Sequence, residues 1–201
     1  MVVELKIKSK FRKIPPHLVY EEINGLALPY KGFEDVLSGK KKVEAIMGSS
    51  SLQSILVYFL VFFIGNKINR KKYLIATNES GLNLGAGNNI SNDIAIFEKE
   101  NVVLTDKYFS KPPKVVIEVD VKIDLAGTQW TTEWDYIIEK SQKMLDFGTE
   151  KVIWITTKSK KIFVISPSEK WYLVDFPEDV HLMDDCTLNL AQLFLDEEMV
   201  F

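Results

Sequence analysis

The chain has 201 residues, a net charge of −3 and an apolar fraction of 46%, which together predict a single domain over residues 1–201 with a substantial core. This composition excludes a disordered chain, a fibrous repeat and a disulfide scaffold. The single cysteine, Cys186, cannot form an internal disulfide bond, so a cytoplasmic, reducing compartment is expected. With only two histidines, a zinc site of the usual cysteine and histidine type is not expected.

The N-terminal segment is predicted to form a basic strand. Basic side chains stand at every second position, Lys6, Lys8, Lys10 and Arg12, and a strand would direct all four to one face. Lysines of this kind protect an edge strand against aggregation. That interpretation is favoured over a DNA-binding groove.

An apolar helix is predicted over residues 52–67, after the shorter polar helix at 33–37. Its central stretch, 55–64, reads ILVYFLVFFI and is too short to span a bilayer, which needs roughly 20 apolar residues. No membrane association is therefore expected. A helix that is apolar on all sides has to be covered on all sides, so we expect a central core helix, with one face in a homodimer interface.

Short strands are predicted next, at 73–77, 81–84 and 93–97. The clearest pattern in the chain follows at 114–124, where apolar and mostly charged residues alternate over eleven positions. Such period-two alternation predicts a strand with one buried face. A helix is predicted at 132–147, ended by Gly148.

The remaining elements are strands at 152–156, 161–165 and 171–174 and a closing helix at 188–195. The succession of strand, helix and strand from 115 to 156 favours a right-handed crossover between parallel strands. The fold class is therefore predicted to be mixed α/β, with a central mixed β-sheet flanked by helices.

The acidic residues Asp93, Glu118 and Asp120 could form a metal site. Neighbouring strands lie about 4.8 Å apart, so carboxylates on adjacent strands can share a cation. Carboxylate oxygens with water are the environment that Mg²⁺ or Mn²⁺ prefers. The competing interpretation is a strand whose charged side, including Lys122, simply faces water.

Several short motifs in a fixed order resemble a known family. They are Asn92-Asp93-Ile94, the run from Pro112 to Val119, and Lys140 eight residues before Gly148. This order is similar to that of the Uma-type restriction endonucleases, a family of the PD-(D/E)XK nuclease-like superfamily that is common in cyanobacteria. The resemblance covers about residues 20–195. Two positions depart from the pattern, since Asn92 stands where proline is usual and Met144 where tyrosine is common.

The resemblance implies a restriction-endonuclease-like core in which Asp93 and Glu118 bind a divalent metal ion, Mg²⁺ or Mn²⁺. It adds Asp120 as a third oxygen donor, and Glu44, ahead of the apolar helix, as a further metal ligand. It also implies a catalytic lysine, with Lys140 the first choice and Lys122 the second.

The expected function is metal-dependent endonuclease activity on DNA. The acidic isoelectric point, about 5.5, does not favour this function, because DNA-binding proteins usually carry a basic patch. The alternative is a nuclease-like protein that has lost catalysis and serves as a binding or regulatory subunit. Metal binding is common to both interpretations, and DNA cleavage separates them.

Overall fold

A computed structural model describes residues 14–126, 128–167 and 169–199 of the protein. These residues form a mixed α/β fold around a central mixed sheet of eight strands, which confirms the predicted fold class. The helices are α1 Phe33–Leu37, α2 Glu44–Met47, α3 Ser51–Lys67, α4 Glu133–Phe147 and α5 Leu190–Asp196. The strands are β1 Val19–Ile23, β2 Leu26–Pro29, β3 Tyr73–Asn83, β4 Asn89–Glu98, β5 Val115–Val119, β6 Lys151–Thr156, β7 Lys161–Ile165, β8 Tyr172–Asp175, β9 Asp179–Met183 and β10 Cys186–Asn189. The predicted basic strand at residues 6–12 lies outside the described residues.

The strand order of the central sheet leaves a gap beside β4. The order is β2-β1-β4-β5-β6-β7-β8, and β3 pairs with β4 along its whole length. Two strands share the opposite edge of β4. On that edge β1 pairs with β4 only at Asn89, and β5 pairs with residues 94–96. Among the described strands none pairs with β4 at residues 90–93 on that edge. We call this opening the β1–β5 gap.

The predicted strand, helix and strand succession is confirmed in β5, α4 and β6. β5 and β6 are parallel, in register from Val115 opposite Lys151 to Val119 opposite Ile155, with α4 as their connection. The helix begins with a capping box, in which Thr132 and Asp135 each accept a hydrogen bond from the other's backbone N–H. It ends at Gly148, whose φ of 116° is the left-handed conformation that glycine adopts readily.

Apolar side chains fill both faces of the sheet. One face packs against α3, α5 and the β9–β10 hairpin, and the other against α4 and the β1–β2 hairpin. All five residues of β5 are consequently buried. The prediction that this strand has a solvent-facing side is therefore wrong, because α4 and its neighbours cover the face that carries Glu118.

Helix α3 has the predicted position but is covered on one side only. Its buried positions are Gln53, Leu56, Phe59, Leu60 and Ile64, while Tyr58 and Phe62 remain more than half exposed. The expected core helix is therefore buried on the side that meets the sheet, and the face expected in a homodimer interface is exposed in the single chain. By length and composition alone, the stretch Glu44–Lys67 could also cross a membrane, although the core helices of soluble proteins meet the same criterion.

Local backbone conformation accounts for the other differences from the sequence-based elements. β3 is one strand rather than two, and it passes through an irregularity at Asn78 and Glu79, both with positive φ. β5 stops at Val119 instead of continuing to residue 124, because Asp120 has a φ of 57°. The closing helix begins only at Leu190, since residues 186–189 pair with β9. The β1–β2 hairpin was not predicted.

Candidate active site

Four charged side chains from four different elements converge at the β1–β5 gap. They are Glu21 of β1, Asp93 of β4, Glu118 of β5 and Lys140 of α4, and none is more than 4% exposed. Charged groups are costly to bury unless they are paired and hydrogen-bonded. The hydrogen bonds and ion pairs of each side chain therefore explain how the fold accommodates these buried groups.

Asp93 is held by three nitrogen donors. The backbone N–H of Val119 donates to Oδ2 at 2.8 Å and Lys122 Nζ to Oδ1 at 2.7 Å. Gln53 Nε2 lies 3.2 Å from Oδ2 and donates to the Val119 carbonyl oxygen at 2.9 Å. The first turn of α3 supplies Gln53, and Ser50 caps that turn by accepting the Gln53 backbone N–H. Both Asp93 oxygens and the Val119 carbonyl oxygen thus lie within 3.4 Å of Gln53 Nε2.

Lys140 lies among three oxygen atoms. Its Nζ donates to the Ser91 carbonyl oxygen at 2.8 Å and lies 3.0 Å from Glu21 Oε2 and 3.1 Å from Glu118 Oε1. Tyr136, one turn earlier on α4, donates its hydroxyl hydrogen to the other oxygen of Glu21. The ammonium group is not aligned for a hydrogen bond to Glu118, whose buried Oε1 accepts none from the protein.

The pKa values of this pair move in the directions that burial and charge dictate. Burial raises the pKa of Glu118 to about 8; Lys140 lowers it, while Asp93 and Glu21 add to the rise. For Lys140, burial opposes the charged form, but Glu118 and Glu21 more than offset it and raise the pKa above its ordinary value. Near neutral pH, Lys140 is therefore charged and Glu118 is largely protonated.

Lys122 is the more accessible of the two candidate lysines. Its ammonium group lies between Asp93 and Glu79, 3.0 Å from the Glu79 carboxylate. The side chain is 15% exposed, against 1% for Lys140. Burial opposes its charge, but Asp93 and Glu79 raise the pKa of Lys122 overall. A substrate can thus reach Lys122 directly, whereas Lys140 is enclosed.

The two remaining candidate metal ligands lie apart from this cluster. Asp120 accepts hydrogen bonds from the backbone N–H of Thr157 at 2.7 Å and from its hydroxyl group at 2.6 Å. Its carboxylate therefore fastens the end of β5 to the residue after β6. Glu44 is exposed at the start of α2, and no ion pair or hydrogen bond joins it to the cluster within the described residues.

Glu21 and Tyr136 were missed in the sequence. Glu21 stands in β1, whose hairpin could have been found from Asn24-Gly25, a dipeptide typical of two-residue turns. Tyr136 precedes Lys140 by four residues, and side chains at that spacing lie on the same side of a helix. Gln53 joins the site because the first turn of α3 is oriented toward Asp93.

The site has oxygen atoms that could bind a divalent cation, but its side chains do not form a complete set of metal ligands. Within the described residues, no group of three or more Asp, Glu, His or Cys side chains is arranged to hold a metal ion. Asp93 and Glu118 supply carboxylate oxygens and Val119 a carbonyl oxygen, which are the kinds of donor that Mg²⁺ uses when it keeps several water molecules.

Comparisons with known proteins reveal a shared fold. No family profile and no curated protein matches the sequence. Among solved structures, the chain is similar to a "putative nuclease belonging to DUF820" from Anabaena variabilis, with a TM-score of 0.59 and 15% identity over 87% of this chain and 89% of that one. A further match is a DrdV–DNA complex, with a TM-score of 0.34 and 17% identity over 72% of this chain and 11% of that one.

Proposed function

We propose that this protein is a Mg²⁺- or Mn²⁺-dependent endonuclease that hydrolyses phosphodiester bonds of DNA. The observation that carries the proposal is the buried cluster at the β1–β5 gap, in which Asp93 and Glu118 lie beside two lysines. The shared fold agrees with it, since the similar Anabaena variabilis protein is described as a "putative nuclease".

Each residue of the cluster has a role in this proposal. Asp93, Glu118 and the Val119 carbonyl would hold the cation. When bound, the cation would lower the pKa of a coordinated water molecule and neutralise charge on the phosphate. Lys122, at the accessible side, would release Asp93 and donate to a phosphate oxygen as negative charge develops there. Lys140 would hold Glu118 and Glu21 in place from inside the fold.

The decisive experiment measures metal binding and DNA cleavage together. Titration of Mn²⁺ into the wild-type protein by calorimetry should show binding, and nicking of supercoiled plasmid should depend on the same cation. Both should be lost in Asp93→Ala and Glu118→Ala, because each removes one of the two carboxylates. We expect cleavage to fall at least 100-fold in either variant, since charge stabilisation at the reacting phosphate is a dominant effect.

Asp120→Asn is the informative comparison in this experiment. Asparagine tolerates the left-handed backbone of position 120 and retains an acceptor for Thr157. If Asp120 serves only this turn, the variant binds Mn²⁺ like the wild type; a large loss would make Asp120 a third ligand. Wild-type binding without any cleavage would instead support the catalytically inactive, DNA-binding alternative. No binding in the wild type would reject the metal site.

We also propose that the outer face of α3 is where two copies of the chain meet. Leu52, Ile55, Tyr58 and Phe62 are each between 41% and 59% exposed, and the two aromatic rings stack on each other. Together they expose on the order of 400 Å² of apolar surface, about half of what one partner contributes to a standard interface. A weak, concentration-dependent homodimer is therefore expected.

Sedimentation velocity over a range of concentrations tests this dimer. Phe62→Glu should keep the protein monomeric, because a carboxylate would be buried at the contact. Ile138→Glu is a matched control, since Ile138 is 44% exposed on α4, which packs on the opposite face of the sheet. A wild-type monomer at all concentrations contradicts the proposal, and flotation with lipid vesicles would show that the face binds a membrane instead.

A further inference from the structure

A polar cleft opens beside the accessible side of the acidic cluster. Its volume is about 290 Å³, and one wall is formed by Gln53, Glu79 and Lys122, which join it to Asp93. The remaining lining includes Tyr30, Lys31, Lys41 and residues 45–48, that is, part of the turn between α1 and α2 and the short helix after it. Whatever reaches Lys122 from this side passes along that turn.

The turn carries three consecutive lysines. Gly39 has a φ of 74°, a conformation natural to glycine, and it reverses the chain so that Lys40, Lys41 and Lys42 project at the end of α1. All three are exposed. Lys41 pairs with Asp35 at 2.9 Å, while Lys40 and Lys42 have no ion pair within the described residues. Lys41 lines the cleft. Lys40 and Lys42 flank it in sequence, so two lysine charges without ion pairs stand next to the residue that lines the cleft.

A third lysine on the same rim is weakly engaged. Lys31 pairs with Glu133 at 2.9 Å, but the two side chains are 62% and 53% exposed. Exposed pairs of this kind contribute little and exchange readily with other partners. Lys31 and Lys41 thus line the same cleft as Gln53 and Lys122. Gln53 and Lys122 both donate to Asp93, so a polyanion would meet basic side chains along the approach to the buried carboxylates.

We infer that the turn between α1 and α2 binds the phosphate backbone of a nucleic-acid strand and guides it over Asp93 and Glu118. Lys40 and Lys42 contact phosphates that flank the reacting one. Lysine serves well here, because it binds phosphate as a point charge without reading the base sequence. This local surface also reconciles DNA binding with an acidic chain. The inference rests on the proposed function for the identity of the reacting group, but binding can be measured without cleavage.

The test is fluorescence anisotropy with a labelled 20-nucleotide DNA, single-stranded and duplex, in EDTA so that nothing is cleaved. The double variant Lys40→Gln/Lys42→Gln is expected to bind about tenfold more weakly at low salt, and its slope of log K against log salt should fall by about 2, since two phosphate contacts are lost. The matched control is Arg70→Gln/Lys71→Gln, an exposed basic pair beyond the opposite end of α3. It should bind like the wild type.

A small substrate separates this inference from the proposed function. Bis(p-nitrophenyl) phosphate has no flanking phosphates, so its Mn²⁺-dependent hydrolysis should be equal in the wild type and in the Lys40/Lys42 variant. If the wild type hydrolyses neither this ester nor plasmid DNA, the proposed function fails. The anisotropy measurement still tests whether Lys40 and Lys42 bind DNA. Equal loss of DNA affinity in both double variants, no loss in either, or no DNA binding by the wild type would each overturn the inference.

Discussion

Replacing Lys140 with methionine is expected to lower the free energy of unfolding by about 3–5 kcal/mol, because it leaves two buried carboxyl groups without their ammonium partner. Glu21 and Glu118 both lie within 3.1 Å of Lys140 Nζ. Methionine fills a similar volume, so the loss measures charge pairing rather than a cavity. Urea denaturation checks the result: the urea concentration at the unfolding midpoint should fall, while the dependence of the unfolding free energy on urea concentration should not change.

Two further variants make the Lys140 prediction specific. Lys143→Met, on the same helix but only partly buried, should change stability by less than about 0.5 kcal/mol. Adding Glu21→Gln to Lys140→Met should restore part of the lost stability, because one buried carboxyl group without its ammonium partner is removed. A Lys140→Met protein as stable as the wild type would contradict the ion pairs.

Substitutions at Lys122 and Lys140 address which lysine acts on the substrate. Lys122→Met should abolish cleavage with a smaller loss of stability, because Lys122 is partly exposed and Asp93 keeps its bonds to Val119 and Gln53. If Lys122→Met cleaves DNA normally, while Lys140→Arg is folded but inactive, Lys140 is the catalytic lysine. That result would favour the arrangement implied by the family resemblance.

Glu118→Gln is expected to make the metal-free protein less sensitive to pH. Because burial raises the pKa of Glu118 from 4.5 to about 8, the folded state binds a proton that the unfolded state releases between these values. Wild-type stability therefore carries a term that falls as pH rises from 4.5 to 8, by up to about 1.4 kcal/mol per pH unit. Glutamine cannot ionise, so this term disappears. At pH 9 the variant should be more stable than the wild type by about 1–3 kcal/mol.

The measurement is the difference in unfolding free energy between the wild type and Glu118→Gln at several pH values. The contributions of all other titrating groups cancel in this difference. The difference should grow from pH 5 to pH 8 and then level off. A difference that is independent of pH would show that Glu118 titrates normally. Mn²⁺ binding by the wild type at pH 7 should also release close to one proton, since a carboxylate must be ionised to coordinate the cation.

Local sequence patterns determined most elements of the second half of the chain. The alternation before Val119, the capping residues around α4 and the short connection to β6 fix a strand, a helix and a parallel strand that are close in sequence. Asp93 and Glu118 are brought together for the same reason, because β4 and β5 are neighbours in the sheet. Elements of this kind depend on nearby residues, so a sequence read in order reveals them.

Only the tertiary structure decided which charged groups belong to the site. Glu21 reaches the site because β1 pairs with β4 at one position, Glu22 opposite Asn89, and these two residues are 67 positions apart in the sequence. No pattern in the sequence of β1 predicts this pairing. The alternation around Glu118 predicts that one face of β5 is exposed to solvent, yet α4 buries that face. Asp120 stands two residues after Glu118 but turns to Thr157, because a left-handed backbone redirects its side chain. The sequence by itself determined most elements of the second half and pointed to two of the clustered carboxyl groups, since these follow from short-range periodicity. The charge pairing, the burial that shifts the pKa of Glu118 and the accessibility of the lysines depend on contacts between distant segments, which periodicity does not encode.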